Sequence, residues 1–197
     1  MSARRGPFDS GYDPRAGQVQ RFVDELYQRG HEAGFHPGYA TLDDPDRFRE
    51  EKQRMDEALG HKHYGGRQHY LRFRVPDTWR MWEASGLSYD STLSYADHEG
   101  FRCGTCYPYH PFDLEHDRLL KLLEIPLIVM DGTLKQYRGL TPKEGEEKAV
   151  ILAERCKKVN GLLTFLGHNT SLQGDLGPWA KMYGRVLSRL NEMVGQT

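Results

Sequence analysis

An α/β fold built on a parallel sheet or barrel is what this sequence predicts, on three observations. Segments with helical spacing alternate with short strand-like runs along most of the 197 residues. Ile125 to Met130 is a near-continuous apolar run, as in a strand buried on both faces. Helices separate the strand-like runs, as parallel connections require.

Gln18 to Arg29 has apolar residues at Val19, Phe22, Val23 and Leu26, a helical spacing, and Gly30 stops it. A short strand follows over Ala33 to His36. Asp43-Asp44-Pro45 opens a helix over Asp46 to Leu59, with Phe48, Met55 and Leu59 among charged residues and Gly60 as its end. Gly65 to Phe73 reads as a strand, Trp79 to Ala84 as a helix closed by Gly86, and Leu87 to Leu93 as a strand. Asp97 to Pro111, rich in Gly, Pro, Tyr, His and Cys, lacks a period and reads as a long structured loop. After the strand Ile125 to Met130, Thr141-Pro142-Lys143-Glu144 introduces a helix reaching Asn160. Leu162 to Leu166 is the last strand, and Pro178 to Val194 the last helix. Residues 1–14 read as an irregular segment and 15–197 as a single domain.

A chain of this length with 38% hydrophobic residues buries one core. The net charge of −1 and pI near 6.8 give no electrostatic reason to expect nucleic acid or an anionic membrane as a partner. There is no apolar run of spanning length and no signal-peptide pattern after Met1, so the expectation is a soluble, cytoplasmic protein. Three cysteines are too few for a disulfide scaffold. Cys103-Gly104-Thr105-Cys106 has the spacing of a redox or zinc pair, but lacks a second pair and a strand-to-helix junction, so it reads as coincidence.

Chemistry-bearing side chains sit at the ends of the strand-like runs, where the loops of α/β folds build sites. His36 suits a metal ligand, because a neutral imidazole at a strand exit has a fixed direction; the alternative is a histidine bonded within its loop. His69 is a substitute metal ligand, a sugar contact or a packed histidine. Asp90 precedes Ser91 and Thr92, which also suits a turn or cap, and His168 follows the last apolar run. Among the aromatics, Tyr107 and Tyr109 lie in the long loop and offer a stacking wall for sugar rings.

In order and spacing, four segments resemble the polysaccharide deacetylases, the nodulation-factor deacetylase homology domain of carbohydrate esterase family four. They are Gly30-His31-Glu32-Ala33-Gly34-Phe35-His36, Arg67-Gln68-His69-Tyr70, Tyr89-Asp90-Ser91-Thr92 and Phe165-Leu166-Gly167-His168. The resemblance runs from about Gly30 to about Thr170. It implies a deformed (β/α) barrel of the polysaccharide deacetylase type, incomplete at its N-terminal strand. The implied reaction is removal of acetyl groups from an N-acetylated polysaccharide or oligosaccharide by water bound to a divalent metal, zinc or similar. By the same resemblance Arg67 orients the base carboxylate, Asp90 pairs with the acidic His168, His36 binds metal, and Tyr70 contacts substrate. A second metal-binding histidine is expected four residues after His36, where Ala40 stands. The family's first motif, a pair of Asp residues, is not matched. Asp9 and Asp13 bear a superficial likeness to it, but no β-branched run precedes them and a helix follows, so they stay unassigned. Weak metal binding and impaired activity of this chain alone are therefore expected, with self-association through an apolar sheet edge at Ala33 to Phe35. A non-catalytic carbohydrate-binding relative, or an α/β interaction domain with no sugar role, are the alternative functions.

Overall fold

The computed structural model describes residues 7–9, 11–172 and 177–195. Part of the irregular segment expected over 1–14, residues 1–6 and 10, lies outside the described residues. The described residues fall into two compact units, one drawn from residues 7–92 and 109–125, the other from residues 93–108 and 126–195.

The first unit contains α1 (Gly17–Gln28), α2 (Pro45–Leu59) and α3 (Asp77–Ala84), with β1 (Tyr89–Asp90), β2 (Phe112–Asp113), β3 (Arg118–Leu119) and β4 (Leu123–Glu124). Helix boundaries follow local chemistry. Asp44 accepts a hydrogen bond from the Arg47 N–H at 3.0 Å, Pro45 occupies the first turn, and Gly60 ends α2 with φ of 70°. Phe35, Phe48 and Trp82 meet edge to face or tilted, with ring centroids 5.3–6.1 Å apart, and form the apolar centre.

A parallel backbone row runs through this unit. Phe35 pairs with Gly66, Gly66 with Asp90, and Asp90 with Glu124, while Tyr109 pairs with Glu124 in the antiparallel sense. The row explains why the strand expected over Gly65 to Phe73 does not form. Gly66 approaches Phe35 so closely that a Cβ there would lie 1.9 Å from the Phe35 carbonyl oxygen. Two residues later the chain leaves the row for a 3₁₀ turn, His69–Leu71, with Tyr70 and Leu71 at φ of 57° and 52°. The exposed apolar edge expected at Ala33 to Phe35 is absent as well. Ala33 and Phe35 are 8% and 1% exposed, and the Phe35 ring is covered by Phe48 and Trp82. After the long loop, β2 and β3 form an antiparallel hairpin. Arg80 of α3 ties it down by donating to both carboxylate oxygens of the buried Asp113.

The second unit contains β5 (Val129–Met130), α4 (Pro142–Lys158), β6 (Phe165–Leu166) and α5 (Pro178–Val194), with a π-helical turn over Thr133–Tyr137. β5 and β6 are parallel, in register Val129 to Phe165 and Met130 to Leu166. α4 begins with a capping box. The Thr141 hydroxyl accepts from the Glu144 N–H at 3.3 Å, and the Glu144 carboxylate accepts from the Thr141 N–H at 2.8 Å. Ile128, Val129, Leu134, Ala149, Met182 and Val186 belong to the core between β5 and the two helices. No helix among the described residues is long and apolar enough to cross a membrane.

Candidate functional site

In each unit, titratable side chains come together where the chain leaves a parallel pairing. In the second unit, β5 runs directly into Asp131 and β6 into Gly167-His168, so the parallel pairing brings carboxylate and imidazole to one end. Asp131 Oδ1 lies 2.6 Å from His168 Nδ1, and its Oδ2 accepts from the His168 N–H at 2.9 Å. A carboxylate on Nδ1 orients the ring and stabilises its protonated form. The Asp131 side chain is 6% exposed and that of His168 49%. Burial alone would raise the Asp131 carboxyl, but hydrogen bonds from His168 and Ser171 outweigh it and hold the group below its ordinary value.

The resemblance implies Asp90 as the carboxylate on His168; the structure places Asp131 there. Asp90 lies in the first unit, fully buried. Its Oδ1 accepts from the Thr92 hydroxyl at 2.5 Å and its Oδ2 from the Thr92 N–H at 3.1 Å. Its carboxyl also hydrogen-bonds that of Glu124, its register partner on β4, whose Oε2 accepts from Trp79 Nε1 at 2.7 Å. Burial pushes Asp90 up to about 6, against the opposing pull of the Thr92 hydrogen bonds, the Glu124 contact and the Arg67 charge.

Arg67, His36 and His69 are brought together in the first unit. The Arg67 guanidinium donates to the backbone oxygen and the hydroxyl of Ser91, the latter at 2.9 Å, and so ties the segment after Gly66 to the one after β1. The Arg67 carbonyl accepts from His36 Nδ1 at 2.7 Å, and His36 Nε2 faces His69 Nδ1 at 2.8 Å. On its other edge His69 Nε2 reaches the Phe8 carbonyl at 2.8 Å, with Asp9 Oδ1 at 3.9 Å. Carbonyl oxygens only accept, so hydrogens sit on His36 Nδ1 and His69 Nε2. Burial pushes His36 down to about 3, which keeps that ring neutral.

Asp9, left unassigned in the sequence, is thus part of this cluster. Its side chain is 4% exposed, accepts from the Tyr39 N–H at 2.8 Å and faces Arg47 at 3.3 Å. Arg47 also donates to Glu51 at 2.9 Å, and Glu51 accepts from the Gly38 N–H at 2.7 Å, so the loop after His36 is clamped by two buried carboxylates. The side chains do not fit a resident divalent metal as they stand. His69 turns one ring nitrogen to His36 and the other toward Asp9, so the three groups do not converge on one point. Among the described residues no three His, Cys, Asp or Glu side chains form a metal site.

Of the expected substrate contacts, Tyr70 is 63% exposed and meets Phe8, Tyr39 and His69 edge-on, with centroids at 5.7, 5.6 and 4.7 Å. Tyr107 is exposed in the second unit, whereas Tyr109 is half-buried in the first, its backbone bonded to Glu124 in both directions. Two signals for the missed groups were present in the sequence. Asp131 follows the apolar run Ile125 to Met130 directly, in the same kind of position as His36. Asp9 lies in Phe8-Asp9-Ser10-Gly11.

No family model matches the chain, and no curated protein matches it in sequence. Among solved structures, the chain is similar to the crystal structure of a "putative polysaccharide deacetylase" from Mycobacterium smegmatis, with a TM-score of 0.63 at 20% sequence identity. The match covers 89% of this chain and 62% of that protein's length, and it establishes a shared α/β fold.

Proposed function

We propose that this chain is a polysaccharide deacetylase-like hydrolase domain on a deformed (β/α) barrel, acting on N-acetylated amino sugars of a polysaccharide or oligosaccharide. The observation that carries the reading is the Asp131–His168 pair at the ends of two parallel strands. Amide hydrolysis needs a proton for the departing nitrogen, because an amide anion is too basic to leave. In this role His168 hands its proton to that nitrogen as the carbon–nitrogen bond breaks, and water supplies the hydroxyl that ends up in acetate. Asp131 holds the ring and stabilises the imidazolium before transfer. Arg67, His36 and His69 organise one end of the first unit, with Tyr70 beside them as a stacking surface for a sugar ring.

The Asp131–His168 pair supports the acid half of the reaction, whereas the metal ligand set expected by resemblance does not converge. Deacetylation by this chain alone is accordingly slow and metal binding weak. That same lack of convergence favours a second reading, a carbohydrate-binding relative without turnover. Titration of the chain with an N-acetylated chito-oligosaccharide, with bound metal measured after dialysis, tests the proposal. Saturable sugar binding with less than one metal per chain is expected. Absence of sugar binding would leave an interaction domain as the surviving account, and one tightly held metal per chain would overturn the weak-metal reading.

A further inference from the structure

The Cys103-Gly104-Thr105-Cys106 spacing suggests a pair within the motif, but the fold gives Cys106 a different neighbour. In the second unit Cys106 and Cys156 are 5% and 2% exposed, pack in one apolar cluster, and have their thiols in hydrogen-bond contact. Two successive residues clamp their backbones together. The Gly161 N–H donates to the Cys156 carbonyl at 2.8 Å, and the Leu162 N–H to the Cys106 carbonyl at 3.2 Å. The close approach depends on glycine, since a Cβ on Gly161 would lie 2.1 Å from Cys106 Sγ. Cys103 faces the other way, its thiol 4.0 Å from the Leu93 carbonyl, and Gly104 turns the chain between them with φ of 69°.

A thiol is a weak hydrogen-bonding group, so two buried thiols in contact gain little from remaining reduced. Burial, reinforced by Cys106, pushes the Cys156 thiol up to about 12, which disfavours any role as a metal-binding or nucleophilic thiolate in the native state. We propose that Cys106 and Cys156 form a redox-active dithiol that closes to an internal disulfide, fastening the segment that carries Tyr107 to the last turn of α4. The step is thiol–disulfide exchange with a small disulfide such as oxidised glutathione. One cysteine thiolate attacks the reagent and expels one glutathione thiolate; the second cysteine, losing its proton, then displaces the other. The protein gives up two protons and two electrons, and with them the reagent is reduced to two thiols. Because both sulfurs are buried, exchange from the native state waits on opening of the cluster, whereas refolding in a redox buffer is not limited in that way.

The test is to refold the full chain across a series of reduced-to-oxidised glutathione ratios, quench with acid, and map peptides by mass spectrometry. A linked Cys106–Cys156 peptide should dominate under oxidising conditions, with the protein lighter by two hydrogens. Its thermal midpoint should rise by on the order of 5–10 °C, because the bridge restrains a long loop of the unfolded chain. Cys103→Ser should keep the rise and Cys156→Ser should abolish it. A dominant Cys103–Cys106 peptide, or three alkylatable thiols at the most oxidising ratio, would overturn the proposal. The wild-type peptide map decides this even if a core variant folds poorly.

Discussion

At the scale of single residues, the proposed reaction assigns each nitrogen of the His168 imidazole a task. Because Asp131 takes Nδ1, the proton donor in that reaction is Nε2. In steady-state assays of acetate release, His168→Ala should lower turnover by on the order of 10²–10⁴-fold with a much smaller change in KM. Asp131→Asn keeps the side-chain shape and removes the charge, so the alkaline limb of the rate profile should move to lower pH. An unmoved limb would take Asp131 out of the mechanism. Asp90 makes a different prediction. Its carboxyl holds a proton up to about 6 in the folded chain, against 3.8 ordinarily, mainly because it is buried. The folded state therefore binds more protons between those values. Its contribution to stability is greatest below about pH 4, declines as pH rises to about 6, and is level above. Urea unfolding at steps from pH 4 to 7 should show this decline in the wild type and a shallower one in Asp90→Asn; identical slopes would contradict the assignment.

The elements show which parts of a structure short-range chemistry can announce. α2, α4 and α5 lie within one or two residues of their expected bounds, because Asp44-Pro45, Thr141-Pro142 and Gly60 act locally on the backbone. Thr141→Ala removes the hydroxyl that caps α4 and should cost about 1 kcal/mol in chemical denaturation. Strands were less legible. Each ladder is two residues long, so apolar runs such as Leu87 to Leu93 mark their neighbourhood and not their register. Gly65 and Gly66 read as strand interior, whereas their small size answers a close approach visible only in three dimensions. Gly66→Ala should destabilise the first unit by at least about 2 kcal/mol, since its Cβ meets the Phe35 backbone. Gly132→Ala, with its nearest neighbour at 3.8 Å, should be tolerated in the same thermal-melt comparison. The His69–Leu71 turn is not legible in the sequence, because left-handed backbone at Tyr70 and Leu71 has no marker in residues that disfavour it.

Across the whole molecule, the order of motifs carried the α/β class and the strand-end positions of His36, Arg67, Asp90 and His168, while partnerships depended on long-range pairing. Asp131 and His168 are 37 residues apart, and parallel pairing of β5 with β6 is what joins them. Asp90 meets Glu124 through the β1–β4 register, and Asp9 reaches His69 across 60 residues of chain. No spacing rule covers such distances. The central claim is that this chain handles the acetamido group of an amino sugar with His168 as proton donor, and paired time courses of acetate release from an N-acetylated chito-oligosaccharide test it most directly. Slow release by the wild-type chain that disappears in His168→Ala is the predicted result. Equal release by the two proteins, or none by either at saturating sugar, would contradict it.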